Sequence, residues 1–198
     1  MTDALTRHEQ NMRLNIVLDI YARINLKELR GWLSKHPEIK SLYEEKDSVY
    51  QQLESEVTNF VKTRNSASHG GMDHLEGEQD LYRYCNVVRA LIKALTCYLS
   101  KDILMRKMEL GTAIKLGTAT EVFPKSSAFV AKLCKGAEMA IGDEIFLLDS
   151  SNCYIQIVES IMLNDQQEES VIATQNEYEI GIKSSGKVKV KSQIIKCL

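Results

Sequence analysis

The chain has 198 residues, of which 44% are hydrophobic and 26% charged, with only two prolines and ten glycines. This composition is typical of folded globular domains and excludes a disordered or fibrous protein. The formal net charge of −2 gives the chain as a whole no attraction for polyanions. Any contact with nucleic acid therefore depends on a local cluster of basic side chains.

The cysteines and the apolar runs bear on the cellular compartment. Five cysteines occupy positions 85, 97, 134, 153 and 197, and none has C-x-x-C spacing. An odd number of thiols among mainly apolar neighbours predicts reduced, mostly buried side chains. The first thirty residues carry charges throughout, and no apolar run approaches the ~20 residues that span a bilayer. We therefore expect a cytoplasmic protein without a membrane partner.

From residue 10 to about 108 the chain has the period of amphipathic helices. The first helix is predicted from residue 10 to Pro37, the second from about Ile39 to Thr63 and the third from about Glu78 to Lys107. Along the third helix the apolar positions share one stripe, namely Leu81, Cys85, Val88, Ile92, Leu95, Leu99 and Ile103. Three long helices with apolar faces predict an antiparallel bundle in residues 1–108.

Near residue 109 the period changes to that of short strands separated by turn formers. The β-rich runs are 129–133, 144–148, 154–158, 170–173, 179–182 and 187–191. In the last run, two valines alternate with Lys187, Lys189 and Lys191, which is typical of a half-exposed edge strand. Residues 126–198 are predicted to form a small antiparallel β-barrel, and residues 109–125 a linker or a first irregular strand. The predicted fold class is α+β.

Between the second and third predicted helices lies the segment Arg64-Asn65-Ser66-Ala67-Ser68-His69, followed by two glycines. In a straight helix Arg64 and His69 project about 140° apart. They converge on one site only where the helix ends or bends between them. The polar residues after Arg64 favour caps and turns, and the glycines oppose a continuing helix, so a bend is predicted here. A polar loop without chemistry is the alternative.

This segment resembles the Arg-polar-x3-His signature of HEPN domains, whose variants often read Arg-Asn-x-x-x-His-Gly. The resemblance covers roughly residues 10–107. It implies an all-α bundle that forms a homodimer, in which two copies of the motif face one another across a cleft. That composite site is expected to cleave RNA without a metal ion or any other cofactor.

The resemblance implies roles for three residues of the motif. His69 is the general base or acid at the ribose 2′-hydroxyl or the leaving 5′-oxygen, since an imidazole titrates near neutral pH. Arg64 holds the scissile phosphate and stabilises its growing negative charge. Asn65 orients the phosphate or His69. The implied product carries a 2′,3′-cyclic phosphate, and DNA, which lacks the 2′-hydroxyl, is not cut.

Further residues around the motif are candidates for substrate binding: Lys62, Ser66, Ser68, Tyr82 and Arg83. The lysine is a candidate phosphate contact, whereas Tyr82 and Arg83 are candidates for stacking on bases or lining the cleft. A metal site formed by His69, Asp73 and His74 is the alternative for the loop. Exposed loop residues without a ligand are favoured there, so neither a metal nor a cofactor is expected.

The segments 137–145, 158–161 and 179–182 resemble the second-domain barrel of translation elongation factors. The resemblance covers about residues 126–197 and concerns fold rather than chemistry. It implies a barrel that binds RNA, a ribosome-associated target or a protein partner. A barrel that only stabilises the chain or supports a dimer is the alternative.

Two functions follow from these expectations. The first is a metal-independent endoribonuclease, a toxin or phage-defence effector, that acts on RNA as a homodimer through the helical domain. An antitoxin or another protein partner would restrain it. The second is a non-catalytic adaptor of the same fold, which binds RNA or protein without turnover. The two differ in whether RNA is cleaved and whether that cleavage depends on His69.

Overall fold

The computed structural model describes residues 13–43, 48–68, 77–186 and 188–198, with the backbone alone for residues 67 and 68. The chain divides into two compact units, residues 1–98 and 99–198. Helices occupy the N-terminal part and strands the C-terminal part. The predicted order of helices followed by sheet is confirmed, whereas the antiparallel bundle stays a prediction.

The helices of the described residues are α1 (Leu14–Arg23), α2 (Leu29–Lys35), α3 (Pro37–Lys40), α4 (Val49–Ser68) and α5 (Glu78–Glu109). The prediction of one continuous helix from residue 10 to Pro37 is wrong. α1 ends two residues before Asn25, whose φ of 67° is a left-handed conformation that asparagine tolerates. The amides of Ile24 and Leu26 both donate to the Tyr21 carbonyl, so the chain turns before α2.

The core of the helical unit combines large side chains from the first four helices with small ones from α5. Its buried residues are Leu14, Val17, Leu29, Trp32, Leu33, Ile39, Tyr43, Tyr50, Leu53, Val57, Val87, Ala90, Ala94 and Cys97. Trp32 joins the two groups, since its Nε1 donates to the carbonyl oxygen of Ala94 at 2.9 Å. Two alanines on this face of α5 leave room for the indole ring.

The predicted apolar stripe of the third helix lies mostly outside this core. Leu81 is 54% exposed, Ile92 57% and Ile103 53%, and Cys85 is also exposed. Most of this stripe is therefore not part of the core. α5 carries a second stripe of smaller residues, and that stripe lies in the core together with Trp32.

The strands are β1 (Ala113–Phe123), β2 (Ala128–Leu133), β3 (Glu138–Ala140), β4 (Glu144–Leu148), β5 (Cys153–Leu163), β6 (Gln166–Glu168), β7 (Ser170–Ile172), β8 (Tyr178–Ser184) and β9 (Gln193–Cys197). Six of them pair in the order β4-β9-β1-β2-β8-β5, and β5 pairs back onto β4. All these pairs are antiparallel. The predicted antiparallel barrel is therefore confirmed, with β6 added to β5 and β3 paired with β7.

The inside of the barrel is apolar and follows the alternation of its strands. Along β2, Phe129, Ala131 and Leu133 are buried, whereas the residues between them are half-exposed. This period of two is that of a strand with one face in a core. Residues from the other strands complete the cluster, among them Leu116, Ile145, Leu147, Val158, Ile161, Ile180, Ile182 and Ile194.

The segment 109–125 contains a long strand rather than a linker. β1 occupies residues 113–123 and pairs with both β2 and β9. Its register shifts between Lys115 and Gly117 against β9, and between Ala119 and Glu121 against β2. Such bulges make the strand irregular, which hides its period of two in the sequence.

The prediction of a strand over residues 187–191 is wrong for the part that the structure describes. Lys191 has a φ of 70°, and the amide of Ser192 donates to the carbonyl of Lys189. These residues form a turn, and the last strand follows it. The ammonium of Lys189 lies 3.3 Å from a carboxylate oxygen of Asp149, so its role is a contact between turns, not protection of a strand edge.

The last turns of α5 belong to the barrel unit. Leu104 packs in a second, smaller cluster with Ala113, Leu148, Cys153 and Ile195. The boundary between the compact units falls inside α5, between residues 98 and 99. The end of the helical domain at residue 108 stays a prediction.

All five cysteines lie in the described residues, and none of them forms a disulfide bond. Cys97 and Cys153 are buried, as expected, whereas Cys85 and Cys134 are exposed, which the prediction of mostly buried thiols did not anticipate. Within the described ranges, we find no helix long and apolar enough to cross a membrane.

Candidate functional site

α4 continues through Arg64 to Ser68 without a break. The predicted bend or helix end between Arg64 and His69 would have to follow Ser68, so it stays a prediction. Asparagine and serine lower helix stability by only about 0.7 kcal/mol or less each, which does not end a long helix. His69 and the two glycines lie outside the described residues. The convergence of Arg64 and His69 therefore stays a prediction.

The candidate residues of α4 occupy two sides of the helix. Arg64 is exposed, and its Nη1 donates to Oδ1 of Asn65 at 3.1 Å. Lys62 and Ser66 are exposed as well, but each is two residues from Arg64 and projects about 200° away from it. The structure therefore brings Asn65 to Arg64 and places Lys62 and Ser66 on the far side. The side chain of Ser68 lies outside the described atoms.

Tyr82 and Arg83 lie in the first turns of α5. They line a shallow pocket of about 310 Å³ with Leu42, Glu56, Gln79, Asn86 and Val87. Arg83 forms an ion pair with Glu56, which also accepts a hydrogen bond from the Tyr43 hydroxyl at 3.2 Å. Burial and the neighbouring Glu56 raise the pKa of Tyr43, so this hydroxyl remains a donor. Tyr82 is 68% exposed and available to a ligand.

A larger, apolar groove lies along α4 and α5. Its volume is about 510 Å³, and it is lined by Phe60, Leu81, Tyr84, Cys85, Val88, Arg89, Ile92 and Lys93. The rings of Phe60 and Tyr84 form one wall, with centroids 5.5 Å apart. Arg64 follows Phe60 by four residues, so the two side chains share one side of α4. The exposed guanidinium thus lies one helical turn beyond the groove wall.

A third pocket lies at one mouth of the barrel. It holds about 260 Å³ and is lined by Leu147, Asp149, Tyr154, Gln156, Lys189 and Ser192. Tyr154 pairs with Leu147 and Gln156 with Ile145 across β4 and β5, so both polar side chains face the barrel interior. The sequence analysis did not predict this pocket. A single polar residue at an inward-facing position of a strand cannot be told from an outward-facing one in the sequence.

Asp149 organises the turn at this mouth. Burial alone would raise the pKa of its carboxyl group, but hydrogen bonds from Ser151 and Asn152 and the ammonium of Lys189 outweigh that effect. The backbone amides of Ser151 and Asn152 donate to Oδ1 at 2.6 and 2.9 Å. The pKa of Asp149 is therefore lowered in the folded protein.

Replacing Asp149 by asparagine is expected to lower the stability of the barrel most at neutral pH. Because the folded-state pKa lies below the unfolded value, the carboxylate stabilises the fold above about pH 4. That stabilisation disappears as the pH falls through the folded-state pKa. Urea unfolding at several pH values should show a difference between wild type and Asp149→Asn at pH 7 that shrinks towards about pH 2. The exposed Glu179→Gln is the control, and a constant difference would contradict the prediction.

Among the described residues, no group of three histidine, cysteine, aspartate or glutamate side chains is arranged to hold a metal ion. The alternative site formed by His69, Asp73 and His74 lies outside these residues.

The chain matches no protein-family model and no curated protein. Among solved structures it is similar to the C-terminal domain of a putative U32 peptidase from Geobacillus thermoleovorans. The identity is 12% over 42% of this chain and 91% of that domain, with a TM-score of 0.36. The selenomethionine variant of that domain gives the same identity and TM-score, with 98% of its length covered. The assignment of a barrel rests on the strand pairing, not on this likeness.

The groove is the feature that sequence reasoning misplaced. Its signal was visible, since Leu81, Cys85, Val88 and Ile92 were recognised as one stripe. The stripe alone does not show whether it faces the core or faces outward. The small residues Ala90 and Ala94, on another face of the same helix, were the available clue.

Proposed function

We propose that the helical unit is a metal-independent endoribonuclease of the HEPN type that works as a homodimer. The supporting observation is the position of Arg64. Its exposed side chain lies one turn beyond Phe60, at the end of the apolar groove along α4 and α5. A guanidinium beside a surface that a second copy covers is suited to hold a phosphate at the junction. His69 follows α4 directly and is the proposed proton-transfer group.

In the proposed reaction, the ribose 2′-oxygen attacks the adjacent phosphorus and the bond to the 5′-oxygen of the next nucleotide breaks. One imidazole removes the 2′-hydroxyl proton, and a protonated imidazole donates a proton to the leaving oxygen. Two copies of His69 supply both states near neutral pH, because the ordinary imidazole pKa is about 6.5. The guanidinium of Arg64 stabilises the charge on the phosphate. The products are a 2′,3′-cyclic phosphate and a free 5′-hydroxyl.

The described geometry narrows the proposed substrate contacts. Asn65 holds the guanidinium of Arg64 and is a positioning residue in this scheme. Tyr82 is exposed enough to stack on a base, whereas Arg83 is engaged by Glu56. Lys62 projects away from Arg64, so its contact with the substrate stays a prediction.

We place the proposed activity in a toxin or phage-defence role, with a protein partner such as an antitoxin that holds it inactive. A partner that binds over Arg64 or over the apolar groove would be sufficient to block the activity.

The experiment that tests this function is cleavage of single-stranded RNA by the full chain in excess EDTA. We expect fragments that end in a 2′,3′-cyclic phosphate, no cleavage of DNA of the same sequence, and no cleavage by His69→Ala. Intact RNA, or equal cleavage by His69→Ala, would remove the proposal. Binding of RNA without turnover, unchanged in His69→Ala, would instead support the non-catalytic adaptor.

A further inference from the structure

Two polar side chains interrupt the apolar interior of the barrel beside the pocket at its mouth. Gln156 lines that pocket and is 6% exposed. Ser184 is 1% exposed, and the burial of every second residue of β8 points it inward with Ile180 and Ile182. It pairs with Val158, two residues beyond Gln156 on β5, so the two polar side chains are diagonal neighbours on one face.

The Ser184 hydroxyl has no hydrogen-bond partner among the described residues. Burying a hydroxyl without a partner is unfavourable, and an apolar side chain of similar size would avoid that cost. A polar group that reaches this end of the barrel from outside would satisfy it. The interior of the barrel is therefore suited to a ligand with hydrogen-bonding groups at this mouth.

The walls of the pocket suit a small, flat ring. Leu147 and Tyr154 lie side by side across β4 and β5, and both line the pocket. The Tyr154 hydroxyl donates to Oδ1 of Asn152 at 2.8 Å, which holds the aromatic ring at the mouth. Its face can stack on another ring. The volume of about 260 Å³ is slightly below the ~300–1,000 Å³ of pockets for drug-sized ligands, so it accepts one small ring system.

The charges at the rim of the pocket cancel one another. The ammonium of Lys189 lies 3.3 Å from Oδ2 of Asp149, and both residues line the pocket. A charged ligand would lose its hydration here without meeting an unpaired opposite charge among these lining residues. The pocket therefore favours a ligand without net charge.

The amide of Gln156 determines which edge of the ring fits. A side-chain amide presents a donor and an acceptor in one plane, and glutamine uses both to pair with the edge of a nucleobase. Gly186 lies close to this amide, since a Cβ atom there would come 2.7 Å from Nε2 of Gln156. We propose that the pocket binds an uncharged nucleobase, free or as a nucleoside, with its ring on Tyr154 and its hydrogen-bonding edge on Gln156. This site belongs to the barrel and does not rest on the proposed function of the helical unit.

Calorimetric titration of the full chain with adenosine, guanosine, cytidine and uridine tests the proposal. We expect at least one of the four to bind, and Gln156→Leu to weaken its binding by roughly 10–100-fold, the loss expected for a bidentate pair. Leucine is close to glutamine in size and suits the apolar interior, so the barrel should keep its melting temperature or gain a little. Binding of none of the four nucleosides would overturn the proposal.

Variants of β5 separate binding from folding. Tyr154→Leu removes the stacking ring and should weaken binding by roughly 10–100-fold. Tyr154→Phe keeps the ring and should stay close to wild type, because the hydroxyl contacts Asn152 and not the ligand. Ile155→Ala, next on the strand and 54% exposed, should change the affinity by no more than about twofold. Unchanged binding in Gln156→Leu and Tyr154→Leu, or an equal loss in Ile155→Ala, would contradict the proposed site.

Two further ligands distinguish a neutral small molecule from a nucleic acid. Nucleoside 5′-monophosphates should bind no more tightly than the nucleosides, because Lys189 is already paired with Asp149. Single-stranded RNA, added to the His69→Ala variant so that the proposed cleavage does not consume it, should not displace the bound nucleoside. Tighter binding of the monophosphates, or displacement by RNA, would overturn the proposal in favour of a site for charged strands. Nucleoside binding without RNA cleavage would uphold it and remove only the proposed function.

Discussion

Replacing Arg64 by alanine is expected to lower the rate of RNA cleavage by about 10²–10³-fold, the loss typical of removing one group that stabilises developing charge. The side chain is exposed and lies within α4. Alanine is the best helix former, so the helix should be retained or slightly stabilised. The loss would therefore reflect chemistry and not unfolding. Single-turnover cleavage of a labelled RNA, with far-UV circular dichroism of the variant, measures both.

Two variants make this result specific. Lys35→Ala removes an exposed positive charge from α2 and should leave the cleavage rate within about twofold, since a distant surface charge is largely screened. Arg64→Lys keeps the charge but loses the planar fork of donors, and should recover only part of the rate. Equal rates for Arg64→Ala and wild type would show that Arg64 is not at the site, even where cleavage is observed.

Replacing Gly117 by alanine is expected to destabilise the barrel by about 3 kcal/mol. A Cβ atom at this position would lie 2.3 Å from the carbonyl oxygen of Lys132 and 2.9 Å from Cα of Leu133. Both are backbone atoms of β2, so the clash is relieved only by moving β1 away from its partner. Calorimetry should show a fall in the melting temperature of roughly 12–24 °C.

Gly181→Ala is the matched control for this prediction. It is also a glycine in a barrel strand, but its Cβ would lie 3.3 Å from Cβ of Met162, which is a side-chain atom. We expect a loss of about 1 kcal/mol or less there. Similar losses for the two variants would mean that the close approach at Gly117 is absent in solution.

The barrel was largely predictable because most of its strands are regular. The predicted run 144–148 coincides with β4, and the runs 129–133 and 179–182 fall within β2 and β8. Alternation of apolar and polar residues is a property of the sequence itself, so it can be recognised without the tertiary structure. For β1 the sequence left two alternatives open, a linker or a first irregular strand, because the bulges interrupt the alternation and Gly117 resembled a linker residue.

The helices were predictable in type but not in their ends or their orientation. The break at Asn25 requires a left-handed backbone conformation, which many asparagines do not adopt. The stripe of α5 that enters the core packs with Trp32, a residue far away in sequence, and periodicity does not show such a contact. Periodicity reports that a face is apolar, and only packing decides what covers it.

The sequence predicted where in the chain the candidate site lies, but not the geometry of its side chains. Arg64 lies exposed near the end of α4, which suits the proposed role. The bend expected next to it does not occur before Ser68, because weak helix formers do not stop a helix. The sequence motif gave no indication that Phe60, one turn before Arg64, lines a groove. That groove forms only because α5 lies beside α4.

Closure of the barrel limits how copies of this protein can associate. Each of its six strands is hydrogen-bonded on both sides, because β5 pairs back onto β4. A strand from another chain therefore finds no long unpaired row of backbone groups on them, and the template for edge-to-edge aggregation is missing. Concentrated protein should resist fibre formation through the barrel, and self-association should depend on side chains such as those of α5.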